Sequence, residues 1–228
     1  MGLFSSVPQR GDLIFYDEYV HASIREGIRM SNAKAYSFLH NDLSSLKEKV
    51  DLNTARNEHE DSAVYVVTES VFSMDGDTPD LKAFAKFSKS NGYRLIVDEA
   101  HAVGVLGSNG EGLIPDLKLE KDVFARTVTF GKAFGCHGAA ILGSEELRDY
   151  LINFAKPFIY TTALTPHTLA TIITAHNYMG ELGKEPKALL SENIVYFKEQ
   201  LRSHKIERFF IPSDIAIQGC IISGSKKA

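Results

Sequence analysis

Apolar runs bounded by turn residues alternate along this chain with stretches whose apolar positions recur at helical spacing. DLIFYD (12–17), KAYSFL (34–39), AVYVVTES (63–70), RLIVDEA (94–100), FARTVTFG (124–131) and AAILGS (139–144) read as strands. AVYVVTES is β-branched and almost continuously apolar, the pattern of a strand buried on both faces, and RLIVDEA, FARTVTFG and AAILGS are read in the same way. Between the strands, HASIREGIRMS (21–31), with Ile24, Ile28 and Met30 in helical register, and LSSLKEKVD (43–51) read as helices. LKAFAKFSKSNG (81–92) is a third, stopped by Asn91-Gly92. Strand and helix in alternation predict an α/β fold with a mostly parallel sheet. From Ser144 onward the pattern turns helical, through SEELRDYLINFA (144–155), PHTLATIITAHNYMGELG (166–183) and ALLSENIVYFKEQLRSH (188–204). IAIQGCIIS (215–223) reads as a strand opening a further domain. The division expected is a first α/β domain over 1–175, then linking helices and the truncated start of a small second domain over 176–228.

Composition narrows the class. With 228 residues, 44% hydrophobic and 24% charged, the chain can build one substantial core and part of a second. No apolar run approaches the roughly 18 residues a membrane helix needs, and no basic-then-apolar signal opens the sequence, so the cytoplasm is the expected location. Cys136 and Cys220 lie far apart, give no disulfide framework or zinc site, and are read as free thiols. MGLFSS fits the loose myristoylation pattern, but no polybasic patch or second acylation signal follows, and the match is read as coincidence.

The segment IVDEAHAVG (96–104) contains DEAH, four letters shared with nucleic-acid-dependent ATPases. Such a site also needs a phosphate-cradling loop, G-x-x-x-x-G-K-[ST]. Gly131-Lys132 is followed by Ala133 and Gly183-Lys184 by Glu185, so that loop is absent. A net charge of -4 without a basic tract also argues against a nucleic-acid partner.

Ligands of open parallel sheets collect at the carboxyl ends of the strands. There, LIV ends in Asp98 with His101 a turn later, TVTF leads to Gly131-Lys132, and YVVTES leads to Val71-Phe72-Ser73. A lysine on such a turn, flanked by Gly131 and Gly135, can present its amine in a partly desolvated pocket, where it becomes a nucleophile. A buried Asp98 needs a cationic partner. A protonated pyridine nitrogen meets that need, and an Asp at the ring nitrogen with a lysine at the aldehyde is how proteins hold pyridoxal 5'-phosphate.

TESVFSMDGD (68–77), IVDEAHAVGVLG (96–107), TFGKAFGCHGAAILGS (129–144) and IYTTALTP (159–166) together resemble the α-oxoamine synthases, fold-type-I pyridoxal-phosphate acyltransferases, and most of all their branch in biotin synthesis. The resemblance covers nearly the whole chain. It implies that Lys132 is the Schiff-base lysine and Asp98 the pyridinium partner. His101 would bond the cofactor's phenolic oxygen, Ser73 and Thr129 would make further cofactor contacts, and the His21 ring would stack on the pyridine. Thr161 and Thr162 match the segment that reaches the neighbouring subunit's phosphate, which implies a homodimer. His40, Asn41 and Asp42 match a family stretch read as supportive, and His137 is given no role.

The reaction implied is condensation of an amino acid, L-alanine in the closest branch, with an acyl thioester such as a pimeloyl thioester, with loss of CO₂. Asp98 would keep the ring protonated as an electron sink, and the freed Lys132 would serve as general base. Glycine C-acetyltransferase or serine palmitoyltransferase chemistry is the neighbouring alternative. A partner-dependent or inactive subunit of the same fold is the alternative from another class. Against the family pattern, the expectation is a fragment that lacks an upstream phosphate-binding turn and a downstream carboxylate-binding arginine, since no arginine follows Arg208.

Overall fold

The structure, a computed structural model, describes residues 1–57 and 61–222. Its centre is a sheet of β1 (Leu13–Asp17), β2 (Lys34–Phe38), β3 (Val64–Glu69), β4 (Arg94–Asp98), β5 (Ala125–Thr129) and β6 (Ala139–Gly143). In space the order is β2-β1-β3-β4-β5-β6. All neighbouring pairs are parallel except β5 and β6, which run antiparallel.

Because side chains alternate across a strand, each central strand feeds two cores. Leu13, Phe15, Val64, Val66, Leu95 and Val97 pack on one face, against α3 (Leu43–Thr54), α4 (Leu81–Ser90) and α5 (Leu113–Asp116). Ile14, Tyr65, Val67 and Ile96 pack on the other, against α1 (Gly2–Ser6), α2 (Ala22–Arg29) and α6 (Glu145–Phe154). β3 is buried at all of its positions, as a run such as AVYVVTES requires. The helices start on side-chain caps: Asp42 accepts from the Ser44 and Ser45 amides, Asp80 from Ala83, and Ser144 from Leu147. The α4 terminator behaves as expected, with Gly92 at φ 70.

Beyond α7 (Lys156–Ile159) come α8 (Pro166–Leu182), α9 (Lys184–Ser203) and a short 3-10 turn, Glu207–Phe209. The chain then folds back on the strand ends, where Ile215 packs with Val71 and Ala102.

Three sequence expectations are corrected. Residues 215–222 form no strand: one antiparallel bridge, Phe210 to Cys220, is their only β pairing, and Ile215 serves as an apolar anchor instead; Ser223 lies outside the described residues. β6 is not buried on both faces but is a largely exposed edge strand, since nothing among the described residues pairs with its free side or covers it. In α2, Ile24 and Ile28 are buried but Met30, just past the end of the helix, is exposed. The pattern also missed the short helices α1, α5 and α7, too brief to show periodicity.

Candidate functional site

β4 delivers Asp98 at its last position, with Glu69 of β3 and Thr127 of β5 as register partners. Asp98 Oδ1 accepts the Ala100 N–H at 2.8 Å, which starts the turn that carries His101. Burial pushes the Asp98 pKa up, against the Ala100 hydrogen bond and the positive charges of Lys132 and His21. Its carboxylate therefore sits where a further cation is favoured.

Lys132 lies on the loop between the antiparallel strands β5 and β6. The loop is closed by Phe130 N–H to Gly138 O (2.9 Å), Cys136 N–H to Phe130 O (2.7 Å) and Gly135 N–H to Lys132 O (2.9 Å). Gly135 (φ 61) and Gly138 (φ 120) adopt backbone conformations that L side chains disfavour, so these glycines shape the turn itself. Lys132 as a residue is exposed, yet its amine donates to His101 Nε2. Partial burial of the amine lowers its pKa, against the pull of Asp98 and Glu69. The His101 pKa is pushed down to about 4, by burial first and then by the positive charges of Lys132 and His21. At neutral pH the ring is therefore uncharged and free to accept from the amine.

His21 caps α2, its Nδ1 accepting the Ser23 N–H at 3.2 Å, with the side chain exposed. Its backbone N–H donates to Glu69 Oε1 at 2.5 Å, which fixes the start of α2 to the end of β3. Glu69 is the residue that sequence reasoning missed. Only 3% exposed, its carboxyl is raised to about 8, by burial first and by the neighbouring Asp98 charge second. The signal was present: Glu69 ends its strand just as Asp98 ends the next one.

Thr129 closes β5, and its hydroxyl donates to Gly138 O at 3.3 Å. Ser73 lies half-buried on the turn after β3. Thr161 and Thr162 stand exposed in the link between α7 and α8 and make no side-chain hydrogen bond among the described residues. Lys132, His101 and Asp98 thus meet in one place with His21 and Glu69 beside them, while the two threonines face solvent. DEAH resolves into Asp98 and His101 at the site and Glu99 in the interior. Glu99 takes Arg126 Nε at 2.6 Å and the Ile114 N–H at 3.0 Å.

A groove of about 720 Å³ borders the Lys132 loop, lined by Gly104, Ala133, Phe134, Thr171, Tyr178 and Lys187. The side chains of Asp98, His101 and Lys132 do not form its walls. No helix of the described residues is long and apolar enough to cross a membrane.

The donor set suits pyridoxal phosphate: a buried carboxylate facing a needed cation, and within the same cluster an amine with a lowered pKa on a neutral imidazole. Comparison with known proteins is consistent with this chemistry. The family model for aminotransferase class I and II matches residues 3–218. An 8-amino-7-oxononanoate synthase of Emericella nidulans is 43% identical over 196 residues, which cover 79% of this chain and 46% of that protein. Another, from Buchnera aphidicola subsp. Baizongia pistaciae, is 36% identical over 227 residues, 99% of this chain and 56% of its relative. A solved 8-amino-7-oxononanoate synthase from Francisella tularensis has a TM-score of 0.82 at 32% identity, covering 99% of this chain and 63% of that one. A serine palmitoyltransferase variant from S. paucimobilis, solved with PLP and myriocin bound, has a TM-score of 0.89 at 26% identity, over 99% and 57% of the two chains. The chain spans about half the length of the curated relatives it matches.

Proposed function

The chain belongs to the aminotransferase class I and II family, and we propose that it is the cofactor-holding part of a pyridoxal-phosphate-dependent acyltransferase. The reaction joins an amino acid to an acyl thioester with loss of CO₂, as in 8-amino-7-oxononanoate synthesis. The observation that carries this reading is the meeting of Lys132, His101 and Asp98 at the ends of β4 and β5. The relatives' names support L-alanine and a pimeloyl thioester, on coenzyme A or a carrier protein, as the substrates.

Bound there, pyridoxal phosphate supplies an aldehyde for the lysine and a ring that takes up the electron pair of a broken bond. Asp98 accepts from the protonated ring nitrogen, which answers the charge its burial leaves short of partners. Lys132, with its pKa lowered, has an unprotonated fraction that can remove the Cα proton of the amino acid. Neutral His101 orients that amine through Nε2 and contacts the ring oxygen through its other side. His21 stacks on the ring, with its backbone held by Glu69, and Ser73 and Thr129 contact the cofactor from the turn after β3 and the end of β5. Thr161 and Thr162, exposed in this chain, reach the phosphate bound by a second copy, so the working unit is a homodimer. Residues 1–175 form the cofactor domain and 176–228 the linking helices and the start of a smaller domain. The protein works in the cytoplasm, with no nucleic-acid or membrane partner.

Serine palmitoyltransferase chemistry is the second reading, favoured by the higher TM-score of that neighbour. The higher identity of the 8-amino-7-oxononanoate synthases favours the first.

Absorbance of the purified chain titrated with pyridoxal phosphate separates these readings. The expected result is a visible band that is lost in Lys132→Ala and altered by L-alanine more than by L-serine or glycine. A preference for L-serine moves the assignment to the second reading, and no band at saturating cofactor overturns both.

A further inference from the structure

The stretch FLHND leaves β2 and turns sharply at Asn41 (φ 53) into α3, which Asp42 caps. That turn swings the His40 ring between two acidic neighbours. Its Nδ1 lies 2.9 Å from Asp17 Oδ1 at the end of β1, and its Nε2 lies 2.9 Å from Asp77 Oδ2 on the turn after β3. Tyr19 stacks on the ring at 4.4 Å, and Phe72 meets it edge-on at 4.5 Å.

We propose that His40 is a positioning residue: bridging Asp17 and Asp77, it holds the turn 72–77, and Ser73 within it, against the carboxyl end of β1. Phe72 and Asp77 close this turn, the Phe72 N–H donating to Asp77 O (3.1 Å) and the Gly76 N–H to Phe72 O (2.9 Å). His40 touches both ends of the closure, the Phe72 ring and the Asp77 carboxylate. From the far side Ser213 Oγ donates to Gly76 O at 2.9 Å, and a Cβ at Gly76 (φ +70) would collide with the Ile217 carbonyl. The turn is thus gripped from two directions, and His40 supplies the grip on the sheet side.

The bridge requires a charged ring. Ionised carboxylates only accept hydrogen bonds, and a neutral imidazole has one N–H to give, so serving Asp17 and Asp77 together takes both ring protons. Burial works against that charge, but the hydrogen bonds and charges of Asp17 and then Asp77 outweigh it and hold the pKa above the ordinary histidine value. The surrounding groups favour the same state: Glu18 Oε1 accepts the His40 backbone N–H at 3.0 Å. Asn41 adds its backbone N–H to Asp17 at 2.7 Å and its side-chain amide to Asp77 at 2.6 Å, and Asp75 lies close by. His40, Asp75 and Asp77 are near enough to share a cation, but a doubly protonated ring has no lone pair to offer one. Since the folded pKa is raised, the bridge is complete below the ordinary value and is lost as pH rises through the raised one.

The test is amide hydrogen exchange at Phe72 and Gly76, corrected for intrinsic rates, together with an NMR titration of the His40 ring. In the wild-type chain the ring should titrate above the ordinary value of about 6.5. Protection of the two amides should fall about tenfold as pH passes through that pKa, the least expected for losing one charge-assisted hydrogen bond. His40→Gln should show the reduced protection at every pH. Asp77→Asn should lower the His40 pKa, and it keeps the question open to experiment if His40→Gln does not fold. Ser73 as a cofactor contact rests on the function proposed above. The exchange readout needs no cofactor, so the two ideas can fail separately. Pyridoxal phosphate should bind His40→Gln about tenfold more weakly than wild type. Unchanged protection in a folded His40→Gln, a ring titrating at or below the free value, or unaltered cofactor affinity alongside lost protection would each overturn the proposal.

Discussion

Three carboxyls end the adjacent strands β1, β3 and β4, and burying three charges side by side is too costly to leave uncompensated. Each is relieved differently: Asp17 by His40, Glu69 by keeping its proton, and Asp98 by the positive charges of Lys132 and His21. Glu69 therefore carries a prediction. Its pKa is raised to about 8 in the fold, so the stability it contributes is full below the ordinary carboxyl value and is lost as pH rises toward 8. In the cofactor-free chain, Glu69→Gln keeps an acceptor for the His21 N–H and removes the titration. Its urea stability should be nearly flat between pH 5 and 8, where wild type falls by on the order of a few kcal/mol. Equal slopes in the two proteins would refute the assigned protonation state. Asp98, His101 and Lys132 were legible in the sequence because they follow apolar strands and differ sharply from them. Glu69 was not, because TES was read for its hydroxyls and only the register with Asp98 reveals that the acid shares the site.

At the scale of elements, the ion pair of Glu99 and Arg126 ties the loop after β4 to β5, with the Glu99 side chain fully buried and Arg126 nearly so. Burial still pushes the Glu99 pKa up, and Arg126 counters rather than cancels it. Arg126→Met would strand the acid without its partner and should cost about 3–5 kcal/mol by chemical denaturation. Adding Glu99→Gln to that variant should restore much of the loss, whereas strict additivity would mean that the two side chains do not act as a pair. The strands themselves were legible to within about two residues, since continuous apolar runs flanked by turn residues have few other uses. IAIQGCIIS misled because apolar content alone does not make a strand: a partner must be there to take its hydrogen bonds, and only Cys220 finds one. AAILGS did become a strand, but the sequence could not reveal that it lies on an edge.

Across the whole molecule, apolar surface gathers on one stretch. Phe158 is 61% exposed, Tyr160 83% and Ile173 61%, with Leu164, Leu169 and the β6 residues Ile141 and Leu142 also open to solvent. A monomer rarely keeps so much contiguous apolar surface uncovered. The same stretch includes the link that carries Thr161 and Thr162, the two predicted site residues that this chain alone does not bring to Lys132. A second copy covering that surface accounts for both facts, because one contact would bury the side chains and carry the threonines toward the other copy's cofactor. Sedimentation should therefore find a self-associating chain, and the double variant Phe158→Glu, Ile173→Glu should dissociate it. If the threonines do serve the partner's site, dissociation should also weaken pyridoxal phosphate binding while leaving the Lys132 and His101 contact intact. A wild-type chain that sediments as a monomer at all concentrations would sever that link and leave the two threonines without a place in the site.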